Sequence, residues 1–120
     1  MRLSEIISSY KSTLMAKKLP FLRCRACSYT FYYTRDICPH CHSRDLEIME
    51  SKGLGTVFSV TTLLNKEKQR TNYAIIELDE GFRLYSTVIS DKPVEIGTRV
   101  SLKILEIDGS SYPFFVALKN

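Results

Sequence analysis

The chain of 120 residues reads as mainly β: an N-terminal amphipathic helix, a small cysteine-bearing ribbon and a five-stranded barrel. Three observations predict this. Apolar residues recur at three- and four-residue steps near the start, four cysteines stand as two C-x2-C pairs, and from Gly53 the pattern changes to period-two segments between turn residues. The parts fall at residues 1–20, 21–52 and 53–120.

Leu3, Ile6, Ile7, Tyr10 and Leu14 form one apolar stripe, which predicts a helix over about 4–17. Lys17 and Lys18 sit where cations favour a helix C-terminus, and Pro20 is read as its stop. A lone helix this short is marginal in water. Its stripe must therefore pack, on its own domain in the simpler reading and on a partner protein in the other.

Cys24-Arg25-Ala26-Cys27 and Cys38-Pro39-His40-Cys41 are all the cysteines of the chain, with ten residues between the pairs. Each pair lets one tight turn deliver two thiolates to one ion, and Ser28 to Ile37 is long enough for a short hairpin that sets the pairs opposite each other. This is the plan of a rubredoxin-like zinc ribbon with Cys24, Cys27, Cys38 and Cys41 as ligands, one zinc per chain. Two disulfides would need an oxidising compartment, and Met1 to Glu5 has no secretory signal pattern. A redox C-x-x-C is expected once, beside a strand-helix-strand unit, and not as a matched pair. His40 and His42 stand beside the site, but four thiolates already complete a tetrahedron, leaving no open position for a substrate or an activated water. The zinc is therefore structural. A module of this size folds only with the metal's contribution. Tyr29, Phe31 and Tyr33 alternate on one face of the expected hairpin, with Tyr32 on the other, and the simpler reading makes them the cover over the metal.

The barrel strands are expected at 56–64, 73–78, 82–89, 99–107 and around 113–118, with a polar loop from Asn65 to Thr71 and a turn at Asp79-Glu80-Gly81. Five strands in so short a span fit a small closed barrel, an OB-fold first and an SH3-like barrel second. Gly53 and Gly55 resemble part of a phosphate loop, but no helix follows them, which discards that motif.

At 44% hydrophobic content the chain can hold one modest core plus a metal-stapled module, and no stretch is long enough to span a membrane. Cysteine usage points to the cytoplasm. Nine of the 17 basic and five of the 13 acidic residues lie up to Lys52, so the whole +4 excess belongs to the N-terminal half and the barrel is charge-neutral. Both histidines lie in the ribbon and every cysteine is committed to metal, which removes the usual nucleophile–base pairings. Glu77, Asp79 and Glu80 form a close carboxylate cluster, but an acidic turn between strands needs no catalytic explanation. The chain reads as a binding or scaffolding module and not as an enzyme. A nucleic-acid partner is the alternative reading, yet the candidate binding strands of the barrel carry only Arg83. Lys66, Lys68 and Arg70 place three cations on one loop, which suits a compact phosphate-bearing ligand.

The order of helix, four-cysteine ribbon and small barrel resembles the acyl-CoA-associated zinc-ribbon and OB-fold family, long catalogued as a domain of unknown function. The resemblance covers nearly the whole chain. It is carried by Leu22 to Cys27, Cys38 to Ser43, Gly53-Leu54-Gly55-Thr56-Val57-Phe58-Ser59, Ile76-Glu77-Leu78-Asp79-Glu80-Gly81 and Val94 to Val100. It implies a non-catalytic subunit that works with thiolase-type enzymes of acyl-CoA metabolism. In such a role it would complete a channel for CoA or acyl-CoA, with Lys66, Lys68 and Arg70 as candidates for the CoA phosphates. The sequence departs from its relatives in a shorter region before the ribbon and in the loop Lys68-Gln69-Arg70-Thr71-Asn72.

Overall fold

A computed structural model describes residues 2–67, 70–90 and 92–118. Helix α1 (Leu3–Met15) is followed by β1 (Leu19–Cys24), β2 (Thr30–Phe31) and β3 (Leu46–Ser51), which form one antiparallel sheet of order β2-β1-β3. The barrel strands are β4 (Leu54–Leu64), β5 (Arg70–Leu78), β6 (Arg83–Ile89), β7 (Arg99–Ile107) and β8 (Ser110–Ala117). They close in the order β4-β5-β6-β8-β7, with β6 and β8 parallel and the other pairs antiparallel. This is the arrangement of an OB-fold, and it sets aside the SH3-like alternative.

The helix ends two residues earlier than its periodicity suggests, and Pro20 does not stop it. The Lys17 N–H donates to the Leu14 carbonyl and the Lys18 N–H to the Thr13 carbonyl, with Lys17 at φ +66°, which is a Schellman turn. The chain must reverse there because β1 begins at Leu19. Pro20 lies inside β1, paired with Glu50 of β3. The two-residue β2 reaches only Leu22 and Arg23, so no neighbour on that side needs the N–H that proline lacks. At the other end the Glu5 carboxylate accepts from the Arg2 N–H at 3.4 Å, and an acid in the first turn suits the helix dipole. Ile6 and Tyr10 are buried with Leu22, Cys24, Phe31, Cys38 and Leu46, so the helix docks on its own ribbon.

The spacer between the cysteine pairs forms no hairpin of its own. Thr30 and Phe31 pair instead with Arg23 and Leu22, and the alternation of the aromatic run breaks there. Phe31 enters the ribbon core, Tyr32 packs between Tyr10 and Phe82, and Tyr33 leaves for the barrel.

Three strands of the barrel run longer than expected: β5 starts at Arg70, inside the predicted loop, β4 starts at Leu54 and β8 starts at Ser110. A bulge at Phe58 lets β4 bend, so its first part pairs with β7 and its length with β5. Gly55 is required by close approach, since a Cβ there would meet the Glu77 carbonyl oxygen at 2.8 Å. The core joins Val57, Ile76, Leu78, Leu84, Val100 and Phe115 with Leu19 and Phe21, contributed by β1 of the ribbon. Among the described residues, Asn72 is the buried polar side chain. It accepts from Thr62 Oγ1 at 2.8 Å and donates to the Val88 carbonyl at 3.4 Å.

Candidate metal centre and barrel face

The Sγ atoms of Cys24, Cys27, Cys38 and Cys41 all lie within 4.8 Å of one another. Cys24 and Cys41 are 3.5 Å apart, and Cys27 and Cys38 are 3.7 Å apart. A tetrahedron with Zn–S bonds of about 2.3 Å has edges of about 3.8 Å, which those two spacings approach, so a small closing of the widest spacing brings the four thiols onto zinc. All four predicted ligands come together.

The two turns that carry them match bond for bond. In the first, the Ser28 N–H donates to the Cys24 carbonyl at 2.8 Å and the Cys24 N–H to the Tyr29 carbonyl at 2.9 Å. In the second, the His42 N–H donates to the Cys38 carbonyl at 2.9 Å and the Cys38 N–H to the Ser43 carbonyl at 2.8 Å. Ser28 (φ +64°) and His42 (φ +66°) take the same left-handed conformation at equivalent places. The His40 N–H donates to Cys38 Sγ at 3.4 Å, and the backbone N–H groups of Cys27 and Ala26, of Tyr29 and of Ser43 favour the thiolates of Cys24, Cys27 and Cys41. These donors are aimed at thiolates.

Without a cation the four sulfurs cannot all ionise. Burial opposes the Cys24 thiolate, but the N–H groups of Cys27 and Ala26 and the Cys41 thiol outweigh it and bring Cys24 down to about 7. The Tyr29 N–H favours the Cys27 thiolate, yet burial and the three neighbouring sulfurs push that thiol up to about 12. A divalent ion removes this conflict by neutralising the charge the donors are set to stabilise. With four protein ligands it would have no open position. Tyr29 stacks between Phe31 and His40, at 6.1 and 5.5 Å between ring centroids, so His40 belongs to the aromatic cover of the site.

The acidic turn between β5 and β6 is structural. Asp79 accepts two bonds from Arg99, at 2.8 and 2.9 Å, and Arg99 also holds Thr56 at 2.9 Å. Those bonds keep the Asp79 carboxyl below the usual carboxylate range. Glu80 accepts from Ser51 Oγ at 2.7 Å and from the Lys52 N–H at 2.9 Å, tying the ribbon's exit to the barrel. Glu77 pairs with Arg83, whose guanidinium lies 3.8 Å over the Phe58 ring. The single cation expected on the binding strands is thus engaged. In the N-terminal half, Lys18, Arg23, Arg25 and Arg44 all face acids.

Lys66 and Arg70 are exposed at the tip of the β4–β5 hairpin, and Lys68 lies outside the described residues. The sequence reading did not single out the groove of about 420 Å³ on the outer barrel face, whose lining includes Ser59, Thr61, Tyr73, Ile75, Tyr85 and Thr87. Period-two alternation carries the signal, because these are the outward positions of strands whose inward positions are the core. The lining bears no charge. Tyr33 of the ribbon borders it, accepting from the Tyr85 N–H at 3.0 Å. No helix among the described residues is long and apolar enough to cross a membrane.

Residues 17–47 match the family described as the ChsH2, rubredoxin-like zinc ribbon domain. The chain is similar to a probable enoyl-CoA hydratase alpha subunit of Thermomonospora curvata, 33% identical over 77% of this chain but only 31% of that subunit, so it spans about a third of that relative. It is 29% identical to a DUF35 domain-containing scaffold protein of Methanothermobacter thermautotrophicus, over 83% of this chain and 81% of the relative. Among solved structures, a chain described as Ltp2-ChsH2(DUF35) aldolase superposes with a TM-score of 0.79 at 28% identity, covering 92% of each chain. The ribbon thus matches the ChsH2 rubredoxin-like zinc ribbon family, and over nearly its whole length the chain is similar to DUF35 proteins of the same ribbon and barrel connectivity.

Proposed function

We propose that the chain is a zinc-bearing accessory subunit, a scaffold that docks on a thiolase-type enzyme of acyl-CoA metabolism in the cytoplasm and adds to that enzyme's binding site for CoA or acyl-CoA. The observation that carries this reading is the likeness over 92% of both chains to a chain of an Ltp2-ChsH2(DUF35) aldolase. It is supported by a metal centre of four thiols gathered within 4.8 Å of one another and by acidic side chains committed to structural bonds. The chemistry then belongs to the partner, and the zinc ribbon holds a binding face in place. Lys66, Lys68 and Arg70 would meet the CoA phosphates from the hairpin tip. The uncharged groove between Tyr73 and Tyr85 gives a nucleic-acid backbone no cation, which disfavours the alternative.

Affinity purification of the tagged chain from its native host tests the reading, with recovery of a thiolase-fold or other acyl-CoA enzyme as the expected result. Recovery of none counts against it. Replacing Lys66, Lys68 and Arg70 together by alanine should then weaken CoA binding by the assembled complex while leaving assembly intact.

A further inference from the structure

Several strands leave backbone edges open among the described residues, and they differ in how they are guarded: β7 beyond Ser101 carries Lys103 and Glu106, and β8 before Phe115 carries Pro113. The outer edge of β3 carries Glu47 and Glu50, and charge is a usual guard against strand addition. A further edge is the second half of β4. Its outer neighbour β7 reaches only Leu54 to Thr56, and Val57 is held by Gly97 and Thr98 at 2.8 and 2.9 Å. Beyond the bulge at Phe58, residues Ser59 to Leu64 pair with β5 alone. The β5–β6 pairing ends at Asn72 and Val88, so the hairpin tip projects past the third strand.

This edge reads Ser-Val-Thr-Thr-Leu-Leu, without a charge, a proline or a glycine. Thr61 to Leu64 are all exposed, Leu63 at 55% and Leu64 at 66%. β-Branched and apolar residues on an uncovered edge template another strand.

The geometry points to a second copy of this chain as the occupant, with β4 added antiparallel to β4 about a two-fold axis through Thr61. In that register Thr61 faces Thr61 of the second copy, Val60 faces Thr62 and Ser59 faces Leu63. Every opposed pair is uncharged, and such pairs stabilise a sheet. The nearest charge on the edge side, Lys66, falls opposite Thr56, where β7 already pairs with β4, so the added strand ends before it. No like charges meet. The contact is isologous and closes after two copies, joining the β4-β5-β6 sheets into one of six strands. A strand pair of about five residues buries less than the roughly 1,600 Å² of a standard interface, so the dimer dissociates on dilution, at about micromolar concentration or above. The inference stands apart from the accessory-subunit reading, since it concerns the isolated chain.

Sedimentation velocity of the zinc-loaded chain over a concentration series tests it. The expected result is a mass rising from one chain to two. Thr61→Lys and Thr61→Glu change an exposed side chain, so unchanged melting temperatures would confirm that each variant folds. Each alone is expected to stay a single chain because like charges meet across the axis, and an equimolar mixture of the two is expected to recover the mass of two chains. A wild type that stays a single chain throughout, a dimer that persists in Thr61→Lys, or a mixture that fails to associate would overturn the inference.

Discussion

Phe21, on β1 of the ribbon, stacks on Phe82, at the head of β6, with ring centroids 4.6 Å apart and planes inclined by 17°. Both rings are buried in the barrel core. Ribbon and barrel therefore share one hydrophobic unit, and damage to either side of the stack should be felt by both. Phe21→Ala is expected to cost about 3–5 kcal/mol. A double-mutant cycle with Phe82→Ala should return a coupling of about 0.5–1.5 kcal/mol, read from urea unfolding. Additive losses would mean that the two parts fold independently.

Metal removal gives a related expectation. The cluster under the helix, with Cys24 and Cys38 in it, is small, and a ribbon of this size depends on its ion. Metal analysis should find one zinc per chain. A strong chelator should expose the amides around Cys24 to Cys41 to hydrogen exchange. It should also lower the melting temperature of the barrel, because Leu19 and Phe21 leave its core with β1.

The left-handed residues of the two knuckles make a sharper test of local geometry. An L-residue in that conformation costs about 1–2 kcal/mol, and glycine avoids this while losing about 0.5–1 kcal/mol of chain entropy. His42→Gly is therefore expected to raise the stability of the zinc-loaded chain by up to about 1 kcal/mol, whereas His42→Val should lower it. Thermal unfolding at fixed zinc reads both. If histidine were a ligand, glycine would instead reduce zinc affinity.

Asp79 supplies a pH dependence whose sign follows from its pairing. Arg99 lowers its folded pKa, so the bond contributes stability above the ordinary carboxylate value near 4, and that contribution fades as pH falls through the lowered folded value. The advantage of wild type over Asp79→Asn, from urea midpoints, should be present at neutral pH and shrink below about pH 4. Both proteins lose metal in acid, so the difference isolates the carboxylate. An advantage constant with pH would deny the pairing.

Gly55 tests the start of the barrel. A methyl group there meets the Glu77 carbonyl oxygen at 2.8 Å and the Ile76 side chain at 2.9 Å, and backbone cannot move aside cheaply. Gly55→Ala is expected to destabilise by about 1–3 kcal/mol, measured by chemical denaturation, while Gly97→Ala, with nothing within 4 Å of the added carbon, suffers only from its positive φ.

Much of this protein was legible in the linear chain because its signals are local. The C-x2-C pairs define four ligands by spacing alone, and period-two alternation from Gly53 announces β-structure before any contact is known. The helix end and the strand limits were less legible. Lys17 adopts a left-handed turn because β1 must reverse direction, and β5 extends into the expected loop because β4 lies beside it as far as Leu64 and Arg70. Thr30 and Phe31 pair back to β1, a choice made by the neighbouring strand and not by their own alternation.

The cysteines and the alternating strands, read alone, determined that this is a zinc-ribbon chain followed by a small barrel, because ligand spacing and side-chain period are properties of a few consecutive residues. Tertiary structure alone decided that Glu80 clamps the ribbon's exit, that Asp79 belongs to Arg99, that Phe21 completes the barrel core, and that one edge of β4 stands unguarded. Each of these joins residues far apart in the chain. Such pairings depend on which surfaces the fold brings together, and no local pattern specifies that.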